Sequence, residues 1–190
     1  MNKDFISINL AGRVLIKDAL TGETILNKSN AVHPQNMALA IARSMSRDAN
    51  GSIYLLGFGN GGTYINSGGQ IVYNTPNTIG AATLYNQTYN VQVDEQSVGT
   101  PVTNSVLSSA APSPSISSII TVTAQLNASV PSGQAVGDNI TTNPNAPYMF
   151  DEVGLFTQDN LLLSHLIFSP IEKTANRAFL ITYTLTATVS

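Results

Sequence analysis

The stretch from Phe179 to Val189 alternates without a break, with Phe179, Ile181, Tyr183, Leu185, Ala187 and Val189 interleaved by Leu180, Thr182, Thr184, Thr186 and Thr188. A period of two puts each set on one face of an extended strand, whereas a helix would scatter both sets around its circumference. This segment therefore specifies a strand with an apolar face and a threonine face. A second run repeats the arrangement, as Ile120, Val122, Ala124, Leu126, Ala128 and Val130 alternate with Thr121, Thr123, Gln125, Asn127 and Ser129. Strands of this half-buried kind belong to antiparallel sheets, because parallel sheets are covered on both faces.

Shorter elements fit around these two. Val14 and Ile16 lead into Thr21-Gly22, and Ile25 begins a return strand, which predicts a hairpin between Phe5 and Lys28. Ile53 to Phe58 is a short apolar run, and Met149 to Thr157 and Leu161 to Phe168 flank the connection Gln158-Asp159-Asn160. One helix is expected over about 34–47: Pro34 suits the first helical position, where its missing N–H costs nothing. Met37, Ile41 and Met45, with Ala38 and Ala42 beside them, give it an apolar stripe. Arg43 and Arg47 favour its C-terminal end, and Asn50-Gly51 is the expected stop. Glycine, asparagine, serine and proline clusters predict extended loops at 63–83, 98–118 and 132–147. The reading is a single mainly β domain over 1–190, an antiparallel β-sandwich of roughly seven to nine strands with an N-terminal hairpin and helix (1–51).

Charge narrows the function. Only 10% of residues are charged, against about 25% in an ordinary domain, and the net charge is −3. After Arg47 the next basic residue is Lys173. Nucleic acid and anionic membrane surfaces are both held by clustered Lys and Arg, so neither is an expected partner. Neutral faces suit packing against identical copies, where like charges would repel. There is no cysteine, hence no disulfide or thiolate metal site. No apolar run approaches the length of a membrane-spanning helix, the N-terminus does not read as a signal peptide, and no internal repeat of fixed period is present. The charge map also predicts that trypsin leaves a large fragment beginning at Asp48, because the interval from there to Glu172 holds no Lys or Arg. Mass spectrometry of a digest would check this, and a ladder of small peptides from that interval would contradict it.

Candidate chemical motifs are few. Gly57-Phe58-Gly59-Asn60-Gly61-Gly62 matches G-x-G-x-x-G, but the next segment, Thr63 to Gly69, cannot open the helix that a dinucleotide site requires. A sharp turn or bulge is expected there instead. Asp151 and Glu152 are adjacent, as are Asp94 and Glu95, and neighbours on a strand point to opposite faces rather than forming a carboxylate pair. His33 precedes the helix and is expected to cap or stack, whereas His165 shares a face with Leu163 and Ile167, the setting of a buried, hydrogen-bonded imidazole. No G-x-S-x-G elbow exists, and no serine-rich stretch has a histidine nearby. The expectation is a non-enzymatic protein without cofactor or metal. Glu152-Val153-Gly154-Leu155-Phe156 is read as a glycine bulge with Glu152 bonded to a loop amide, a brace whose loss would cost roughly 1–3 kcal/mol.

Several of these segments occur together in a known order. Phe58-Gly59-Asn60-Gly61-Gly62 is followed by Leu84-Tyr85-Asn86-Gln87-Thr88-Tyr89, then Asp151-Glu152-Val153-Gly154-Leu155-Phe156, Asn160-Leu161-Leu162, Phe168-Ser169-Pro170-Ile171-Glu172-Lys173 and a closing alternating strand. This order resembles the N-terminal, particle-attachment domain of phage tail-collar fibre proteins. It is also similar to a group of virion structural proteins of tailed phages in which Asn30-Ala31-Val32-His33-Pro34-Gln35-Asn36-Met37-Ala38 has its counterpart. The resemblance spans about Gly12 to Val189, with Gln87 in place of a usual Glu, Asn160 in place of a turn Gly, and no Pro after Lys173. It implies a virion part made of the attachment-like domain alone, a collar, neck, baseplate or fibre-adaptor subunit rather than a fibre, assembled in the host cytoplasm. Its implied partners are further copies of itself, in a ring or as trimers, and other virion proteins, with contacts expected in the loops from Thr63 to Thr83 and from Val98 to Ser118. Phe58 to Gly62, Glu152, Gly154, Leu155, Phe156 and Lys173 are implied to be structural. A capsid cement protein is the nearest alternative. A carbohydrate-binding module using Tyr64, Tyr73, Tyr85 and Tyr89 comes next, and an enzyme comes last.

Overall fold

The computed structural model describes residues 7–93, 105–110, 117–131 and 149–189. The loop expected at 132–147, the pair Asp94-Glu95 and much of the loop expected at 98–118 lie outside these residues.

Strands β1 (Ile8–Asp18) and β2 (Thr24–Val32) form the expected hairpin. Gly22 takes a φ of +73° at its turn, a conformation closed to most side chains. Asp18 pins the same turn by accepting from the amides of Leu20 and Thr21, which hold its carboxyl below the usual carboxylate range, with Arg177 on its other oxygen. Helix α1 (Pro34–Met45) comes directly after, with His33 as its N-cap: the ring Nδ1 accepts from the Asn36 amide.

The helix ends earlier than expected. Arg47, at φ 63°, turns the chain, and Gly51 comes back against the helix's last turn, where a Cβ would lie 2.4 Å from the Ser44 nitrogen. Asn50-Gly51 therefore belongs to a short 3-10 turn after the helix and is not its stop. Met45, expected in the buried stripe, is 83% exposed, while Asn36, Met37 and Ala40 form the buried face.

The remaining strands are β3 (Ile53–Gly59), β4 (Thr63–Ile65), β5 (Ile71–Tyr73), β6 (Gln87–Gln92), β7 (Ser105–Ala110), β8 (Ser117–Leu126), β9 (Met149–Thr157), β10 (Leu162–Glu172) and β11 (Phe179–Val189). The alternation expected to run to Val130 thus stops at Leu126. Strands β4 and β5 lie inside the segment read as a loop at 63–83, and β7 inside that at 98–118. Strands of three to six residues carry too little alternation to declare themselves.

Nine strands make one antiparallel sheet in the order β6-β3-β9-β10-β2-β1-β11-β8-β7, and β4-β5 pair by themselves. The fold is mainly β and antiparallel with one helix, as expected. Strand β2 is the corner: its stretch up to Asn30 pairs with β1, while Ala31 and Val32 pair with β10. The sheet curls about this corner until both halves share a core. Val14, Ile16, Val122, Leu126, Ile181 and Leu185 of one half join Leu56, Phe58, Val91, Val153, Leu155 and Phe168 of the other. Each such side chain contributes about 1.5–3 kcal/mol on burial, which is what holds the curl closed. Tyr183 is the largest buried side chain among them, and its hydroxyl meets Ser164 and Asn30 at the corner. Burial pushes that phenol well above its ordinary pKa against both hydrogen bonds.

Candidate functional site

The second face of the β3-β9-β10 layer is where the sequence motifs meet. Register places Gly57 opposite Gly154 and Gly59 opposite Glu152, while His165 on β10 lies opposite Gly154. Three glycines on two neighbouring strands leave a trough. The chain from Asn74 to Asn86, here called the strap, lies along it.

The fit leaves no room for side chains on the floor. A Cβ on Gly154 would come within 2.6 Å of Leu162 and 3.0 Å of Leu84, and one on Gly57 within 2.7 Å of Phe156. At Gly59 it would lie 2.4 Å from both the Asn86 carbonyl oxygen and Glu152 Oε1. Ala82 and Leu84 of the strap pack with Phe156 and Leu162 in a small second core. Gly154 sits in regular register, so the glycine bulge expected there is not formed. Its glycine is required by close approach, and the local bulges fall instead between Leu162 and Ser164 and between Phe58 and Gly59.

Burying a strap exposes a problem of physics, since each covered amide needs a partner. Glu152 supplies them to the end of the strap, and Asp151 does the same for the turn between β3 and β4. Glu152 Oε1 accepts from the amides of Asn86 at 2.8 Å and Gly61 at 3.2 Å. Its Oε2 accepts from the Tyr85 amide at 2.9 Å and from His165 Nε2 at 3.0 Å. Asp151, the neighbouring residue on β9, takes the Gly62 and Thr63 amides at 2.8 Å each and the Thr63 hydroxyl at 2.5 Å. Both acids and His165 are fully buried.

His165 extends the clamp. Its Nδ1 accepts from the Asn77 amide at 2.8 Å, so Nε2 carries the proton and donates to Glu152. His33 does the same job at the strap's apex, with Nδ1 filled by the Asn36 amide and Nε2–H donating to the Gly80 carbonyl at 3.1 Å. The two imidazoles, far apart in sequence, therefore fasten one segment. Burial opposes the charge on Glu152, but His165 and the amides of Asn86 and Tyr85 outweigh it and hold its carboxyl below the usual carboxylate range. At Asp151 burial wins over the same kind of bonds, helped by the neighbouring Glu152 charge, and its carboxyl sits high. Among the described residues no group of three or more His, Asp or Glu is placed to hold a metal ion, and no helix is long and apolar enough to cross a membrane.

Lys173 stands apart from the clamp. It is fully buried and held by neutral groups: Nζ donates to the carbonyls of Asn127 at 2.9 Å and Thr174 at 3.2 Å and lies 5.7 Å from the centre of the Phe179 ring. Burial, with Arg177 nearby, lowers its pKa from 10.5 to about 8. The unfolded chain therefore binds more protons than the folded one between those values, so this group adds stability as pH rises through that window. Urea unfolding at pH 7.5 and 9.5 should show wild type gaining roughly 1–3 kcal/mol relative to Lys173→Met over that interval. Parallel behaviour of the two proteins would show that the ammonium is solvated.

The site residues expected from sequence thus fall into three groups. Gly59 to Gly62, Glu152, Gly154 and Phe156 converge on the trough and the turn beside it, Phe58 and Leu155 point into the main core, and Lys173 braces the turn after β10. Sequence reasoning missed Asp151, Asn77 and the shared target of the two histidines. No protein family, curated protein or solved structure matches this chain.

Proposed function

We propose that this chain is a non-enzymatic structural subunit of a tailed-phage virion, placed at the tail, collar, neck, baseplate or fibre-adaptor region and working by assembly with copies of itself and with other virion proteins. The observation that carries the reading is the convergence of the motifs. Phe58–Gly62, Tyr85-Asn86 and Asp151–Phe156, the segments through which the sequence resembles the attachment domain of tail-collar fibres, are separate in sequence but build one clamp. A shared order of short motifs is weak by itself. The same order required by one piece of architecture has a physical cause.

The chemistry of the surface agrees with assembly. The ionisable groups at the trough are consumed in bracing, so the outward character is set by neutral residues. On the β4–β5 hairpin Tyr64, Ile65, Ile71 and Tyr73 are each nearly half exposed, and Ile79 on the strap is 87% exposed. Apolar side chains of this size left exposed on the surface suit contact with a neighbouring subunit. Electron cryo-microscopy of intact particles tests the reading. The expected result is a ring or cluster of copies at the neck, tail or baseplate. Copies spread over the capsid lattice would make it a cement protein, and absence from the particle would end the structural reading.

A further inference from the structure

We infer that the outer face of the β1-β11-β8 half of the sheet is the surface through which two copies of this chain pack together. The inference rests on the proposed assembly role and names the face which that role leaves open.

Unbroken register aligns outward residues into rows across three strands. Leu15, Thr182 and Thr123 form one row, and Arg13, Thr184 and Thr121 the next. Ten consecutive pairs join β11 to β8 without a bulge, so this part of the face is regular. Solvated sheet faces are usually dressed with Lys and Glu, which also keep them from stacking. Here β7, β8 and β11 carry no charged residue at all, and the ions that these strands and β1 turn outward are Arg13 and Lys17, both on β1.

The occupant follows from self-complementarity. A threonine hydroxyl both donates and accepts, so a face built of them can bond to its own copy, which a face of one polarity cannot. A two-fold axis through β8 and β11 would bring neutral rows together and leave the β1 cations at the rim, the arrangement an isologous contact needs. Size agrees as well. The four strands from β1 to β7, about 4.8 Å apart and six to eleven residues long at roughly 3.4 Å each, present on the order of 600 Å². That is at the lower end of what each partner buries in a specific, stable interface.

Analytical ultracentrifugation of the full chain over a wide concentration range tests this, comparing wild type with Thr184→Arg, Thr121→Lys and the conservative Thr184→Ser. The expected result is a wild-type dimer or larger oligomer, retained by Thr184→Ser and weakened at least tenfold in Kd by either cationic variant, with unchanged melting temperatures showing that both remain folded. Oligomers that survive both cationic substitutions but dissociate with Ile71→Lys would overturn the inference and move the contact to the β4–β5 hairpin, leaving the assembly reading intact. A wild-type monomer at every concentration would overturn the inference too, and the particle images would then decide the assembly reading separately.

Discussion

Glu152→Ala is expected to destabilise the protein by about 3–5 kcal/mol, because four buried donors lose their acceptor at once. The carboxylate accepts from the amides of Gly61, Tyr85 and Asn86 and from the His165 ring, and all four donors would be left without it. Each stranded buried donor costs about 1–3 kcal/mol, but the strap can relax toward water, so the four do not simply add. The figure exceeds the roughly 1–3 kcal/mol expected from one loop amide, since sequence revealed only a single partner. Glu152→Gln keeps the shape and one acceptor oxygen and so should lose somewhat less, the remaining loss arising because its NH₂ must face a donor. Urea titration measures both. A loss within about 0.5 kcal/mol would mean that the side chain is solvated and the clamp does not exist.

Gly59→Ala should be comparably damaging, at about 3 kcal/mol or more, through one added methyl. The new carbon would lie 2.4 Å from the Asn86 carbonyl oxygen and 2.4 Å from Glu152 Oε1. The first is backbone of the strap and the second is already fixed by its hydrogen bonds, so neither can move aside cheaply. Either the strap lifts or the carboxylate leaves its amides. Gly68→Ala is the control: its nearest neighbour would be the Asn66 side chain at 3.4 Å, ordinary contact, and its effect should stay within about 0.5 kcal/mol. Equal effects at both positions would point to a general backbone cause rather than to crowding in the trough.

The parts of the fold that were legible are those written in long local patterns. Phe179–Val189 is the observed β11, the start of the second alternating run is β8, and Gly22 makes the hairpin turn. Residue type alone also pointed to a buried, bonded His165 and to Glu152 on a loop amide. What stayed hidden depends on distance along the chain. Glu152 finds Asn86, Tyr85 and Gly61 across 66, 67 and 91 residues, and no local period encodes such partners. Gly154 was misread as a bulge for the same reason: the Leu84 and Leu162 side chains that exclude a Cβ come from other segments. Met45 was misassigned because the apolar stripe was extended to the point where Arg47 turns the chain.

The pairing of β1 with β11 sets Ile8 against Val189, so the first and last described strands lie side by side in the middle of the sheet. During synthesis β1 and β2 leave the ribosome long before β11, yet β1 waits for that neighbour more than 160 residues away, and β8 waits for the same strand. Such long-range closure places the protein among slow folders. It also leaves neutral, strand-forming edges open until β11 is released, the state in which nascent chains aggregate. Folding is therefore gated by a single late strand, with the emergence of β11 as the event that lets both neighbours close.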